Sequence, residues 1–108
     1  MSERYKISYT ARAKGDLRNI YSYIAFKLKE RRIAKRMVER IRKEVRGLDT
    51  LPERFRCVDW EPWASMGMRA LLVGNYVVYY LPDIPLRQIT IFRVVYGGRD
   101  IANVISGE

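Results

Sequence analysis

The sequence of 108 residues contains no histidine and a single cysteine, Cys57. The absence of histidine excludes a Cys/His zinc site, a Ser-His-Asp triad and a Cys-His dyad. One thiol cannot form an internal disulfide, so Cys57 is expected to be a packing residue. The sequence carries no pattern typical of a metal or cofactor site, and none is predicted.

Long apolar runs are also missing. No stretch approaches the roughly 18 apolar residues that a membrane-crossing helix needs. The beginning of the chain, MSERYKISYT, is polar and charged, unlike a signal peptide. We therefore predict no membrane association, a cytoplasmic location, and a single domain over residues 1–108.

Lysine is absent after Lys43, and the charge is unevenly divided. The chain carries a net charge of +9, and residues 1–51 account for all of it, with 15 basic and 6 acidic side chains. Residues 52–108 hold 6 of each sign, and all six cations there are arginine. The first half thus presents a field that attracts polyanions. The second half has single guanidinium groups that can hold one carboxylate or phosphate with fixed geometry.

The first half of the chain predicts a strand followed by two helices. Residues 5–9 alternate between apolar and polar, and Thr10 follows as a helix N-cap. Two apolar stripes at helical spacing come next. They consist of Leu17, Ile20, Tyr21, Ile24 and Leu28, and of Ile33, Met37, Ile41, Val45 and Leu48. Their short connection predicts an antiparallel helical hairpin, with Pro52 ending the second helix or closing the turn after it.

Residues 52–66 contain two prolines and two tryptophans and show no period, so they predict a long loop. Trp60 and Trp63 are interpreted as anchors that pin this loop to the body of the domain. The alternative is that they form stacking platforms for nucleic acid bases.

The second half of the chain predicts a run of antiparallel strands. Residues 68–81 give two strands around the hairpin turn Gly74-Asn75, residues 82–86 a second turn, and residues 87–96 a third strand. The predicted fold class is therefore α+β, with an N-terminal strand and an antiparallel two-helix hairpin packed on one face of a small antiparallel sheet.

Residues 27–46 hold ten lysines and arginines against three glutamates. Within this helix, five cations are candidates for binding an anion or a partner: Arg32, Lys35, Arg36, Arg40 and Lys43. Two interpretations stay open. The cations form either a solvated helix face that supports solubility, or an interface for an acidic protein or a nucleic acid.

Three arginines of the second half, Arg69, Arg93 and Arg99, are candidates for one anion site at the end of the sheet. Strict alternation places Arg93 on the same face as the apolar side chains of its strand, where a guanidinium needs a partner or must reach the rim. The structural interpretation is therefore rim exposure or a carboxylate partner from Asp59, Glu61 or Asp100. The functional interpretation is a cluster of the three arginines that holds a phosphate.

Tyr96 lies beside Gly97 and Gly98, which are expected to let the chain leave the sheet. The tyrosine ring could stack on a base or position a phosphate, but packing within the domain is the favoured interpretation.

The chain resembles toxins of the RelE/ParE superfamily, the toxic half of bacterial type II toxin–antitoxin pairs. The resemblance covers nearly the whole chain and rests on the order of four segments: YKISYTARAKGDLRNIYSYI, LDTLPERF, GMRALLVGNYVVYY and TIFRVVYGGRD. It implies a small fold of two helices on an antiparallel sheet and a cognate antitoxin that wraps and neutralises the protein. It also implies one of two targets: messenger RNA at the ribosome, which the RelE-like branch cleaves, or DNA gyrase, which the ParE-like branch inhibits.

Compared with RelE-like nucleases, the sequence departs at three places. Val77 and Gly98 stand where those enzymes often carry a basic residue, and no tyrosine occurs near Asn103 or Val104. The resemblance therefore favours a ParE-like, non-catalytic inhibitor of gyrase. The alternatives are a ribosome-dependent endonuclease, in which Arg69, Arg93, Arg99 and Tyr96 would act on the scissile phosphate, and a relic with little toxicity.

Overall fold

The structure is a computed structural model, and it describes residues 4–97. The strands and helices follow one another along the chain in this order: β1 (Lys6–Tyr9), α1 (Ala11–Ser22), α2 (Arg31–Arg46), β2 (Arg56–Cys57), α3 (Trp63–Met66), β3 (Arg69–Val73), β4 (Tyr76–Asp83) and β5 (Gln88–Tyr96). A π-helical turn, Tyr23–Lys27, prolongs α1, and single 3₁₀ turns at Gly47–Asp49 and Pro52–Arg54 follow α2. The predicted α+β class with a helical hairpin on one sheet face is confirmed.

The five strands form one sheet in the order β1-β5-β4-β3-β2. β3, β4 and β5 pair antiparallel, as predicted, and β2, which was not predicted, adds antiparallel to β3. In contrast, β1 pairs parallel with β5. The sheet is therefore mixed. The helical hairpin separates β1 from the other strands along the chain, and β1 pairs with the edge of β5 that β4 does not occupy. β2 is short and covers only the first two residues of β3, Arg69 and Ala70.

The helical hairpin begins and packs largely as predicted. Thr10 caps α1, its hydroxyl accepting a hydrogen bond from the backbone N–H of Ala13 at 3.0 Å. The main core lies between the two helices and the sheet and includes side chains from both helices, the π-helical turn and three strands: Leu17, Ile20, Ile24, Ile41, Val45, Leu71, Val73, Val78, Tyr80, Ile89, Ile91 and Val94. Leu28 and Ile33, which were predicted in the stripes, are exposed instead, and both lie near the connection between the helices.

The segment of residues 52–66 is more ordered than the predicted loop. It contributes β2 and the short helix α3, which were too brief to give a periodic pattern. The anchoring interpretation of the tryptophans is confirmed. Trp60 and Trp63 pack on a second apolar cluster on the sheet face opposite the helices, formed by Val58, Met68, Val77, Tyr79 and Val95.

The strand boundaries differ from the prediction at the second turn. β4 continues through Pro82 to Asp83, although residues 82–86 were predicted as a turn. Pro82 is tolerated because proline removes only one donor from a strand near its end. The hairpin turn at Gly74-Asn75 is confirmed, with Gly74 in the left-handed region at φ +59°.

Strict alternation along β5, the basis for placing Arg93, is wrong. Tyr79 pairs with Arg93 while Tyr80 pairs with Ile91, so Phe92 is an extra residue in β5, a β-bulge. Before the bulge, Ile91 packs in the core beneath the helices, and after it Val95 packs in the cluster on the opposite face. A bulge depends on how a strand pairs with its neighbour, and the alternation of apolar and polar residues within one strand does not show this pairing.

Tyr80 links the sheet to the chain beyond α2. Its side chain is 0% exposed, and its hydroxyl donates a hydrogen bond to the Pro52 carbonyl at 2.6 Å. Burial raises the pKa of Tyr80 to about 12, against the smaller opposing effects of Arg69 and Arg54. The phenol therefore stays protonated in the folded protein to a higher pH than in the unfolded chain, where its pKa is about 10.

We expect Tyr80→Phe to lower the free energy of unfolding by about 1 kcal/mol at pH 8, since it leaves a buried carbonyl unpaired. Because the folded pKa is raised, the stability linked to Tyr80 is fully present below about pH 10 and is lost as the pH rises towards 12. Urea unfolding at pH 8 and pH 11 should therefore show a larger loss in the wild type than in the variant. An equal loss in both proteins would contradict this assignment.

Candidate functional site

Arg93 is held by a carboxylate of the first helix. Its Nε and one terminal nitrogen donate hydrogen bonds to the two oxygens of Asp16, at 2.8 and 3.0 Å. Both side chains are only 12% exposed, so the pair is largely desolvated. A carboxylate partner was predicted for Arg93, and Asp16, which was not among the predicted candidates, is one. Asp59 and Glu61 do not fill this role, and Asp100 lies outside the described residues.

Asp16 also closes the free edge of β5 beyond the end of β1. The backbone N–H of Thr10 donates to the Ile91 carbonyl, and the Thr10 hydroxyl donates to the Phe92 carbonyl at 2.9 Å. The N–H of Val94 donates to the same Asp16 oxygen as Arg93, at 2.9 Å. Side chains at the start of α1 thus continue the hydrogen bonding that β1 began, so Asp16 both pairs a charge and terminates a sheet edge.

Arg69 is bound in a different part of the molecule. One of its terminal nitrogens donates to the backbone carbonyls of Glu53 and Phe55, at 2.9 and 2.6 Å. The other lies 3.6 Å from the Glu53 carboxylate, and the side chain is 19% exposed. These contacts fasten the segment that leads into β2 onto β3. Arg69 therefore has a clear structural role.

The candidate arginine cluster is divided among different partners. Arg69 lies on β3 and Arg93 on β5, with β4 between them, and the two guanidinium groups bind different carboxylates. Arg99 lies outside the described residues. Within residues 4–97, then, the arginines predicted to hold a phosphate do not share a partner.

Tyr96 ends β5 with its side chain 52% exposed. Its ring meets the ring of Tyr76 edge to face, with the centroids 5.8 Å apart. Burial raises the pKa of the Tyr76 hydroxyl, and the neighbouring Tyr96 and Tyr23 raise it further. Tyr96 is therefore engaged in aromatic packing while leaving part of its ring accessible.

Val77, which follows Tyr76 of the hairpin, also has a structural role. Val77 is buried in the second apolar cluster, where it packs with Val95 and Tyr79. An arginine at this position would have to place its stem in that cluster and bring its charge out, at a cost in packing.

The predicted basic face of α2 is exposed. It comprises Arg32, Lys35, Arg36, Arg40 and Lys43. Within the described residues none of these five forms an ion pair at 4.0 Å or less. Arg40 reaches the β3–β4 turn, where its terminal nitrogen would lie 3.3 Å from a Cβ on Gly74. The face is thus available to an anionic partner, and its role stays a prediction.

Sequence reasoning missed a second set of cations, which line an open groove between α1 and α2. The groove has a volume of about 260 Å³, and its lining consists of Lys14, Leu17, Arg18, Tyr21, Val38 and Arg42. Lys14, Arg18 and Tyr21 follow helical spacing, so the sequence did contain a signal for one shared face. Two cations on α1 are a weak signal beside the ten lysines and arginines of residues 27–46.

In the part of the chain that the structure describes, no group of His, Cys, Asp and Glu is arranged to hold a metal ion. Over the same residues, no helix combines the length and the apolar character that crossing a membrane requires.

The chain shares its fold with solved components of toxin–antitoxin systems. It resembles a chain of the chromosomal ParDE TA system from P. aeruginosa, with a TM-score of 0.70 and 21% identity over 88% of this chain and 98% of that one. It also resembles a chain of the toxin–antitoxin complex RelBE2 from Mycobacterium tuberculosis, with a TM-score of 0.66 and 20% identity over 86% of this chain and 91% of that one.

The family is given by a sequence model described as the ParE toxin of the type II toxin–antitoxin system, parDE, which matches residues 7–101. The chain belongs to this family. The resemblance to the RelE/ParE superfamily is thereby confirmed. A comparison with curated proteins gave no match.

Proposed function

We propose that this protein is a toxin that arrests bacterial growth by inhibiting DNA gyrase, without cleaving RNA, and that a cognate antitoxin neutralises it. Membership of the ParE toxin family supports the general role. The observation that carries the finer proposal is the Arg93–Asp16 ion pair. The Arg93 side chain is 12% exposed and its guanidinium is already bidentate on a carboxylate, so it is poorly placed to neutralise a scissile phosphate.

Three further features of the chain support a binding function over a catalytic one. Arg69 is occupied by Glu53 and two carbonyls, and Val77 is an apolar core residue. The sequence has no histidine and no lysine after Lys43 to move protons. What the described surface does offer is a set of exposed cations on α2, suited to an acidic or polyanionic partner.

The second candidate function is that of a ribosome-dependent mRNA endonuclease. It draws support from the likeness to a chain of the RelBE2 complex and from the accessible ring of Tyr96. In this case Arg69, Arg93, Arg99 and Tyr96 would be the residues around the scissile phosphate. Arg93 would then have to leave Asp16 when RNA binds.

The test is brief induction of the protein in cells, with separate measurements of plasmid supercoiling and of mRNA cleavage by primer extension. We expect loss of negative supercoiling, intact transcripts, and recovery when the antitoxin encoded beside the toxin is co-expressed. Purified protein should inhibit supercoiling by purified gyrase in the same way. Codon-phased mRNA cuts with normal supercoiling would instead establish the endonuclease. Unchanged growth with both readouts normal would identify an inactive relic.

A further inference from the structure

The outer side of α2 carries a line of cations. The buried side chains of this helix, Ala34, Ile41 and Val45, face the core. Four exposed cations on the opposite side, at spacings of four, four and three residues, form the basic ridge of α2: Arg32, Arg36, Arg40 and Lys43. With a helical rise of about 1.5 Å per residue, this ridge is about 16 Å long.

The charges of the ridge are unfavourable for the helix on its own. Arg32, Arg36 and Arg40 follow one another at four-residue spacing, at which like charges repel. Arg32 also lies in the first turn, where the helix dipole disfavours a cation and where α2 has no acidic side chain. Among residues 4–97, no carboxylate, including that of the neighbouring Glu39, lies within 4.0 Å of the charged nitrogens of the ridge. A face that served solubility alone would mix both signs, so the ridge indicates a partner that supplies the negative charge.

The ridge offers charge without an apolar centre. Stable protein interfaces usually have an apolar or aromatic core inside a polar rim. The ridge contains no apolar side chain, and the large apolar residue that α2 exposes, Ile33, lies near one end of it. A regularly charged polymer needs no such core, because the release of its counterions drives binding. The ridge therefore fits a polyanion better than an acidic protein.

The ridge also lacks the groups that bind single-stranded nucleic acids. Single strands are held largely by stacking of their bases on aromatic side chains, and α2 has no Phe, Tyr or Trp. A helix instead holds its cations in a rigid line, which matches the regular backbone of a duplex. One strand of DNA carries a phosphate about every 3.4 Å along the axis, so about five phosphates lie within the length of the ridge.

We propose that the basic ridge of α2 binds the phosphate backbone of duplex DNA without reading its sequence. The choice of DNA over duplex RNA rests on the proposed function, in which the target enzyme works on DNA. Non-specific contacts of this kind let a protein slide and hop along DNA. The ridge thus concentrates the toxin on the molecule to which gyrase is bound.

The test measures binding of the purified full-length protein to a fluorescent DNA duplex of about 20 base pairs, by anisotropy, at salt concentrations between about 50 and 200 mM. We expect a dissociation constant of about 1–100 μM at physiological salt. The plot of log affinity against log salt should have a slope of about −3.6, from about −0.9 for each of four phosphate contacts. Arg32→Gln/Arg36→Gln should reduce that slope by about 1.8 and weaken binding at least tenfold at about 100 mM salt.

The matched control is Lys6→Gln/Arg56→Gln, which removes two positive charges at exposed positions of β1 and β2, the edge strands of the sheet. Both double variants have the same net charge, so an effect of overall charge is equal in the two. The control should keep the slope of the wild type and stay within about twofold of its affinity, since distant exposed charges are screened by salt. An equal loss in both variants, or no binding by the wild type, would overturn the inference.

Thermal unfolding separates a role in binding from a role in folding. Because Arg32→Gln/Arg36→Gln relieves repulsion and removes a cation from the first turn, its melting temperature should equal or exceed that of the wild type while its DNA affinity falls. A lower melting temperature would show that the ridge supports the fold and would contradict the inference.

Competition identifies the class of polyanion. The DNA duplex should bind more tightly than a single-stranded RNA of the same length, a duplex RNA, or poly-glutamate at the same concentration of charge. If either RNA binds more tightly, the ridge is an RNA-binding surface and the inference is wrong. If poly-glutamate displaces the DNA, the ridge fits an acidic protein and the inference is equally wrong.

The same samples distinguish this inference from the proposed function. If the wild type inhibits purified gyrase but does not bind the DNA duplex, the inference fails and the proposed function stands. If it binds the duplex through the ridge but does not inhibit gyrase, the proposed target is wrong and the DNA-binding surface stands.

Discussion

Asp16→Ala is expected to lower the free energy of unfolding by about 3 kcal/mol or more, the usual effect of removing one partner of a buried ion pair. The change removes both hydrogen bonds to the Arg93 guanidinium and the bond from the Val94 N–H. It therefore removes a bidentate carboxylate from a mostly buried cation, and it takes away the acceptor of a backbone donor at the sheet edge. Chemical denaturation followed by circular dichroism measures the loss directly.

The matched control is the exposed ion pair between Arg4 and Asp49, with a nitrogen–oxygen distance of 3.2 Å. Arg4→Ala should cost no more than about 1 kcal/mol, because an exposed pair is screened by water and salt. Asp16→Asn tests the role of charge separately, since the amide can keep part of the hydrogen bonding. If Asp16→Ala lowered the free energy of unfolding no more than Arg4→Ala does, the structural role assigned to Asp16 would be wrong.

The second large effect is expected at Trp63, whose ring packs on Phe92 with the centroids 4.6 Å apart. Trp63→Ala should lower the free energy of unfolding by about 3 kcal/mol, because it removes one of the two indole rings that cover the second apolar cluster. It should also uncover Val77 and Val95, which pack in that cluster. Binding of an apolar dye such as ANS should therefore rise under native conditions.

Trp63→Phe provides the control for this second prediction. The indole N–H of Trp63 is buried and has no hydrogen-bond acceptor within the described residues, so phenylalanine removes an unsatisfied donor while keeping an aromatic ring. We expect Trp63→Phe to cost under about 1 kcal/mol, because the lost volume and the removed polar group act in opposite directions. A larger loss for Trp63→Phe than for Trp63→Ala would show that the ring does not act as an anchor.

The sequence predicted the elements whose signals are local. Thr10 is a helix cap because of its own side chain, and Gly74-Asn75 is a turn because of its own backbone freedom. The helical stripes were likewise predicted from spacing, except at Leu28 and Ile33, which are exposed near the connection between the helices. Local chemistry was sufficient where neighbours along the chain decide the structure.

The site was harder to predict because its geometry depends on distant pairing. Arg93 was recognised as needing a partner, yet Asp16 lies 77 positions away and is brought to it by the parallel addition of β1 to β5. The bulge at Phe92 arises from the register between β4 and β5. Neither the contact with Asp16 nor the bulge can be predicted from a short stretch of sequence. The fold was therefore needed to show that Arg69 and Arg93 bind different carboxylates.

The ion pair of Asp16 with Arg93 also has an evolutionary consequence. A small domain has a total stability of about 5–15 kcal/mol, so the loss of Asp16 would consume a large share of it in one step. A variant that lost Asp16, and so freed the Arg93 guanidinium from this carboxylate, would first need stabilising substitutions elsewhere in the domain. Selection removes variants whose stability falls below the threshold needed for folding. The ion pair between Asp16 and Arg93 thus makes it harder for this toxin to evolve a phosphate-binding function at Arg93.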